Sequence, residues 1–216
     1  MKRAMILAAG RGQRMGELTT DCPKPLLRVK GRYLIDYAIS SIKLAGIRDI
    51  VINVSYHGEQ IKNALGNGMQ YGVAITYSEE EERLETGGGI FQALPLLGKE
   101  PFIVVSSDIM TDYPLRELPQ QPQGLAHLVM VSNPVFHPGG DYGLRDGKIE
   151  LNVEQKLTYA NVGVYRPELF SQCEPGHFRL TKVLNPAIDA GQVSGEQYHG
   201  VWHNIGTPAD LTEVNA

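Results

Sequence analysis

With 216 residues, 42% of them hydrophobic and 20% charged, the chain is long enough for one large domain with a substantial core, and its composition excludes a disordered polypeptide. The formal net charge is −4 and no basic stripe is present, which argues against a nucleic-acid partner. No apolar run approaches the ~20 residues that span a membrane.

The N-terminus has no signal-peptide hydrophobic region. Two cysteines, Cys22 and Cys173, lie far apart and suggest a reducing compartment, so a cytoplasmic protein is expected.

In chain order, Met5-Ile6-Leu7-Ala8 is a short apolar run, as expected of a strand buried on both faces. It runs into Ala9-Gly10-Arg11-Gly12. Glycines in this arrangement let the backbone approach a ligand and turn its N–H groups outward. Arg14 and Lys24 follow, the lysine held between Pro23 and Pro25. A strand end, an open turn and two cations form a seat for a polyphosphate. A dinucleotide fingerprint would need glycine where Met15 stands, and no Walker loop occurs.

A helix is predicted over Tyr33 to Leu44, a strand over Asp49 to Val54, a short helix over Glu59 to Leu65 and a strand over Val73 to Tyr77. This alternation predicts a parallel sheet with helices on both sides, whose ligands collect at the carboxyl ends of the strands. Glu79-Glu80-Glu81-Glu82 reads as a solvated loop. In Leu84 to Leu94, Thr86 is expected to cap a helix whose first turn holds Gly87, Gly88 and Gly89. Such a glycine-rich start is costly and suggests a second close approach of backbone to ligand. Phe102 to Val105 is another buried strand. Asp108 lies just past its end, where a carboxylate can hold magnesium beside substrate phosphates.

The second half mixes strands and loops. Ala126 to Ser132 reads as a strand and Tyr142 to Leu151 as a hairpin turning at Asp146-Gly147. Leu157 to Arg166 is a strand interrupted at Gly163. A helix follows over Leu180 to Ala190, a strand-like run from Val193 to Asn204, and a final helix from Pro208. Asn204 offers a neutral oxygen acceptable to magnesium, or simply forms the turn before Gly206. One domain is expected. Residues 1–112 would form a Rossmann-like nucleotide-binding half with a mostly parallel sheet, and residues 113–216 a small lobe of mixed strands for the acceptor.

AAGRGQRM, PKPLL, LETGGGI, VVSSD, NVGVYRPELF and WHNIGTP occur in this order along nearly the whole chain. With them the sequence resembles the sugar-1-phosphate nucleotidyltransferases, and within them the short N-acetylmuramate-1-phosphate uridylyltransferases of cell-wall recycling. The resemblance implies a nucleoside triphosphate, UTP, whose base lies against Ala8, Ala9, Gly10 and Gly12 and against the Thr86-Gly87 turn. Arg14 and Lys24 would hold its phosphates. Asp108 and Asn204 would hold magnesium, and Asp141, Asn161 and Gly163 would contact the sugar-1-phosphate. The small recycling enzymes usually carry aspartate where this chain has Asn204. Two other readings stand beside this one: a mannose-1-phosphate guanylyltransferase, and a regulatory module that binds a nucleotide sugar with little catalysis. A monomer or weak homo-oligomer is expected.

Overall fold

The computed structural model describes residues 1–216. Its first half follows the alternation of the sequence. Strand β1 (Arg3–Leu7) leads to the glycine turn, and a small ribbon, β2 (Arg28–Val29) and β3 (Arg32–Tyr33), precedes helix α1 (Leu34–Leu44). Strand β4 (Asp49–Val54), helix α2 (Gly58–Leu65), strand β5 (Ala74–Glu79), helix α3 (Glu85–Leu97) and strand β6 (Phe102–Ser106) follow. The second half contributes β7 (Ile109–Thr111), β8 (Ala126–Val131), the hairpin β9 (Gly143–Arg145) and β10 (Lys148–Glu150), and β11 (Thr158–Tyr165). It ends with α4 (Thr181–Asp189), β12 (Val193–Gln197), β13 (Trp202–Asn204) and α5 (Pro208–Asn215).

Nine of the strands form one sheet in the order β5-β4-β1-β6-β11-β8-β12-β10-β9. The first four are mutually parallel, β11 enters antiparallel to β6, and β12 runs parallel to β8. The architecture is thus an α/β sheet, parallel in its nucleotide half and mixed beyond. Side-chain alternation explains why it is covered on both faces. Ala4 and Ile6 of β1, Ile50 and Ile52 of β4, and Ile103 and Val105 of β6 join one core with α1 and α2. Met5, Val51 and Val104 point the other way, into a second core with α3 and α4. No helix is long and apolar enough to cross a membrane.

Several expectations are corrected. The run from Val193 to Asn204 is two strands in different sheets, because β13 leaves the main sheet to pair antiparallel with β7. The interruption in β11 is not at Gly163, which stays in register with both Val104 and Leu128. The register shift lies between Tyr159 and Gly163, where Asn161 has a φ of 56°. A side chain at Gly163 would meet the His127 carbonyl oxygen at 2.8 Å, so glycine is there to let β8 approach. Thr86 does not cap α3: the helix begins two residues earlier than expected, at Glu85, with Leu84 in the cap position and no side-chain cap. Glu80 is not solvated but buried.

Candidate active site

The turn that follows β1 is shaped by Gly12, whose φ of 66° suits glycine. A side chain there would press on Lys24 at 3.0 Å and on Thr19 at 3.1 Å, whose hydroxyl instead donates to the Gly12 carbonyl. Gly10 meets nothing within 4 Å, so its bareness leaves open space. Beside the turn, the sheet edge opens into a cleft of about 590 Å³. Ala8, Ala9, Gly10, Gly12, Arg14 and Lys24 line one side of it, and Thr86, Asp108 and Asn161 line the rest.

The two prolines seat Lys24 in a short 3-10 turn, Lys24–Leu26, which buries the lysine stem and aims its ammonium across the cleft. Its Nζ lies 2.5 Å from Asp108 Oδ2. Ser106 donates to the other carboxylate oxygen at 2.6 Å, fixing the Asp108 rotamer. The side chains of Lys24 and Asp108 are 11% and 22% exposed, so this ion pair works in a partly dehydrated setting where charge counts for more than at the surface. Arg14 lies over Gly206, where any side chain would come within 3.1 Å of its guanidinium.

Asn204 does not line this cleft; it borders a second cavity of about 470 Å³. It is nevertheless tied to Asp108. β13 pairs Asn204 with Ile109, and the Ile205 N–H donates to the Asp108 carbonyl at 2.9 Å. Asn204 Oδ1 is buried and has no hydrogen-bond partner. A buried acceptor without a donor is what a cation can satisfy. Asp108 and Asn204 both supply hard oxygen, and no group of three or more histidine, cysteine, aspartate and glutamate side chains is placed to hold a metal. Such a sparse oxygen set suits magnesium, which keeps waters and shares substrate phosphates.

Other expected contacts lie elsewhere. Gly87 is buried, and a side chain there would meet the Phe178 ring at 2.5 Å, while one at Gly88 would meet the Gly176 carbonyl at 2.2 Å. Gly87 and Gly88 thus let α3 dock against residues 176–179, whereas Gly89 faces Glu80 and Asn53, and none of the three lines the cleft. Gly163 sits within the sheet. Asp141 accepts from the Tyr159 N–H at 2.8 Å and faces His137 at 3.1 Å, which makes it a brace for the start of β11. Cys22 is half-buried, and burial pushes its thiol up, away from nucleophile character.

The cleft also contains residues that sequence reasoning missed. Asn53 is the penultimate residue of β4, Glu80 and Arg83 come from the segment joining β5 to α3, and Glu85 is the first residue of α3. Arg83 pairs with Glu85 at 2.7 Å, and Glu85 holds a left-handed φ of 61°. The signal for Asn53 was a lone polar residue in the apolar run IVINV; a run of four glutamates gave none for Glu80.

A twisted α/β sheet with a glycine turn, two cations and a carboxylate at its carboxyl edge is the fold of nucleotide-diphospho-sugar transferases. A structure described as a glucose-1-phosphate thymidylyltransferase from Bacillus anthracis superposes with a TM-score of 0.89 over 100% of this chain and 94% of that one, at 21% identity. The inositol-1-phosphate CTP transferase of T. maritima does so at 0.79 over 99% and 96%, at 22% identity. The chain itself belongs to the nucleotidyl transferase family, whose model matches residues 3–216. An N-acetylmuramate alpha-1-phosphate uridylyltransferase from Neisseria meningitidis serogroup B is 46% identical, over 99% of this chain and 97% of its own length. One from Caulobacter vibrioides is 32% identical over 96% and 93%. A mannose-1-phosphate guanyltransferase from Aspergillus oryzae is also 32% identical, but this chain spans only 62% of its length.

Proposed function

We propose that this enzyme transfers a uridylyl group from UTP to N-acetylmuramate α-1-phosphate, releasing pyrophosphate and forming the UDP-sugar. The observation that carries the choice of substrates is the 46% identity, nearly end to end, with the meningococcal uridylyltransferase. The guanyltransferase relatives are longer and less similar.

The chemistry follows from the cleft. The base lies between the Ala8–Gly12 turn and Thr86, and the triphosphate faces Arg14 and Lys24. A phosphate oxygen of the sugar-1-phosphate forms a bond to the α-phosphorus. The bond from that phosphorus to the oxygen bridging to the β-phosphate breaks, and pyrophosphate departs with the electron pair. No protein nucleophile and no proton transfer are required, so the residues act by positioning and by neutralising charge. Arg14, a planar fork, suits the phosphate oxygens, and Lys24 supplies a compact charge at the reacting end. Asp108 holds Lys24 in place and, with Asn204, is the donor set for magnesium, which supplies further positive charge to the phosphate oxygens when bound. Asn161, which lines the cleft at the irregularity in β11, would contact the sugar phosphate.

The test is pyrophosphate release with magnesium, crossing UTP, GTP, CTP and dTTP with the 1-phosphates of N-acetylmuramate, N-acetylglucosamine, glucose and mannose. Release with UTP and the muramate ester is expected. Release with GTP and mannose-1-phosphate alone would move the assignment to the guanylyltransferases. Nucleotide binding without release from any pair would favour a binding module.

A further inference from the structure

Two walls face each other across the nucleotide cleft: the Ala8–Gly12 turn and the entry to α3 at Glu85 and Thr86. Between them lie two buried polar side chains that neither the phosphate cations nor the metal donors employ. Asn53 is 3% exposed and Glu80 is 5% exposed. Asn53 Oδ1 accepts from the Ala8 N–H at 2.9 Å, and its Nδ2 donates to Glu80 Oε1 at 2.7 Å. Glu80 Oε2 then accepts from the Leu84 N–H at 3.0 Å. One continuous chain of hydrogen bonds therefore runs from the first wall to the second.

Both ends of that chain are main-chain donors, and this fixes its polarity. Asn53 must turn its oxygen to Ala8 and its amide nitrogen to Glu80, and Glu80 must accept on both oxygens. Space is fixed as well. A side chain at Gly89 would stand 2.5 Å from Glu80 Oε1 and 2.9 Å from Asn53 Nδ2. Because the Asn53 and Glu80 side chains are almost wholly buried, displacing either wall would break a hydrogen bond that water reaches only from the cleft side.

We propose that Asn53 and Glu80 are positioning residues that set the separation of the two walls and so the fit of the cleft to its nucleotide. The proposal rests on the nucleotide reading of the cleft given above. It needs Glu80 as a carboxylate, and not merely as a polar residue of the right size.

The experiment compares the full chain with Glu80→Gln, Asn53→Asp and the double variant. KM for UTP, KM for the sugar phosphate and thermal melting are measured for each. Glu80→Gln is isosteric, but an amide accepts on one oxygen only. Whichever way the two amides turn, one N–H meets another. Asn53→Asp sets two carboxylates against each other. The double variant restores every bond with the charge moved: a carboxylate at position 53 accepts from Ala8 and from the amide at 80, whose oxygen accepts from Leu84.

Glu80→Gln is expected to raise KM for UTP about tenfold, equivalent to roughly 1.4 kcal/mol, and to leave KM for the sugar phosphate within about twofold. The double variant is expected to recover most of that loss. A Glu80→Gln chain that melts earlier with both KM values unchanged would make the pair merely structural and overturn the proposal. A double variant no better than the singles would do the same. Should either single variant fail to fold, the double variant decides: a KM for UTP near that of the unaltered chain supports the clamp, and a raised one overturns it. An unaltered chain that uses no nucleotide would overturn the nucleotide reading itself, and the clamp with it, before any variant is made.

Discussion

Removing the Asp108 carboxylate separates the chemical role of the ion pair from its structural one. Asp108→Ala leaves the Lys24 ammonium, 2.5 Å from its partner in the intact chain, without a counter-charge. Breaking a fully buried pair costs about 3–5 kcal/mol, because the remaining charge is stranded. Here both side chains retain some exposure, 11% and 22%, and border an open cleft that water can enter. The stability cost should therefore fall to about 1–2 kcal/mol. For a chain of this size that corresponds to a melting temperature about 2–8 °C lower. Catalysis should suffer far more. Lys24 loses its anchor, and the magnesium site proposed above loses its only charged protein donor, both aimed at charge that develops on the phosphates. A loss of about a thousandfold in turnover, or ~4 kcal/mol of transition-state stabilisation, is expected. Pyrophosphate release and thermal melting on one preparation measure both quantities. Turnover within about threefold of the unaltered chain would refute the reasoning, because removal of so central a charge cannot be that mild.

Three further outcomes are expected. Asn204→Asp adds charge at a buried acceptor that has no partner, so activity should saturate at about tenfold lower magnesium; an unchanged titration would remove position 204 from the donor set. Gly88→Ala drives a methyl group to 2.2 Å from the Gly176 carbonyl, and the overpacking should cost about 2 kcal/mol and lower the melting temperature by about 4–8 °C; an unshifted melt would mean that α3 is not held against residues 176–179. Burial holds His127 below its usual pKa, against the opposing pull of Glu196. The unfolded chain therefore takes up its proton first as pH falls below about 6.5, so stability is full above that pH and declines below it. Denaturant midpoints for His127→Gln should show a flatter decline between pH 7 and 5 than the unaltered chain, and identical slopes would contradict this.

The parallel half was legible because its signals are local. A four-residue apolar run, a 3.6-residue stripe such as Leu34, Ile35, Ala38, Ile39 and Ile42, and a glycine at each helix end need no tertiary information. Lys24 and Asp108 were legible for a related reason: prolines fix one, and a strand end fixes the other. What the sequence hid was set by long-range pairing. Nothing local says that Trp202–Asn204 leaves its neighbours to pair with Ile109–Thr111, which places Asn204 beside Asp108 while turning it toward a second cavity. Glycines are hard to read for the same reason: Gly87 makes room for the Phe178 ring and Gly163 for β8. A glycine needed for an approaching ring or strand looks, in sequence, like one that bares backbone to a ligand. Glu80 was hidden among three exposed glutamates because its burial comes from Asn53 and Leu84, distant or unremarkable in sequence.

The central claim is nucleotidyl transfer to a sugar-1-phosphate, and the most direct measurement is the mass of the product. UTP and N-acetylmuramate α-1-phosphate, the latter labelled with heavy oxygen in its phosphate, would be incubated with the enzyme and magnesium and the products resolved by mass spectrometry. The account predicts a UDP-sugar that carries all of the label and pyrophosphate that carries none, because the acceptor oxygen attacks and its own bonds stay intact. Label in the pyrophosphate, or an unchanged sugar phosphate beside intact UTP, would contradict it.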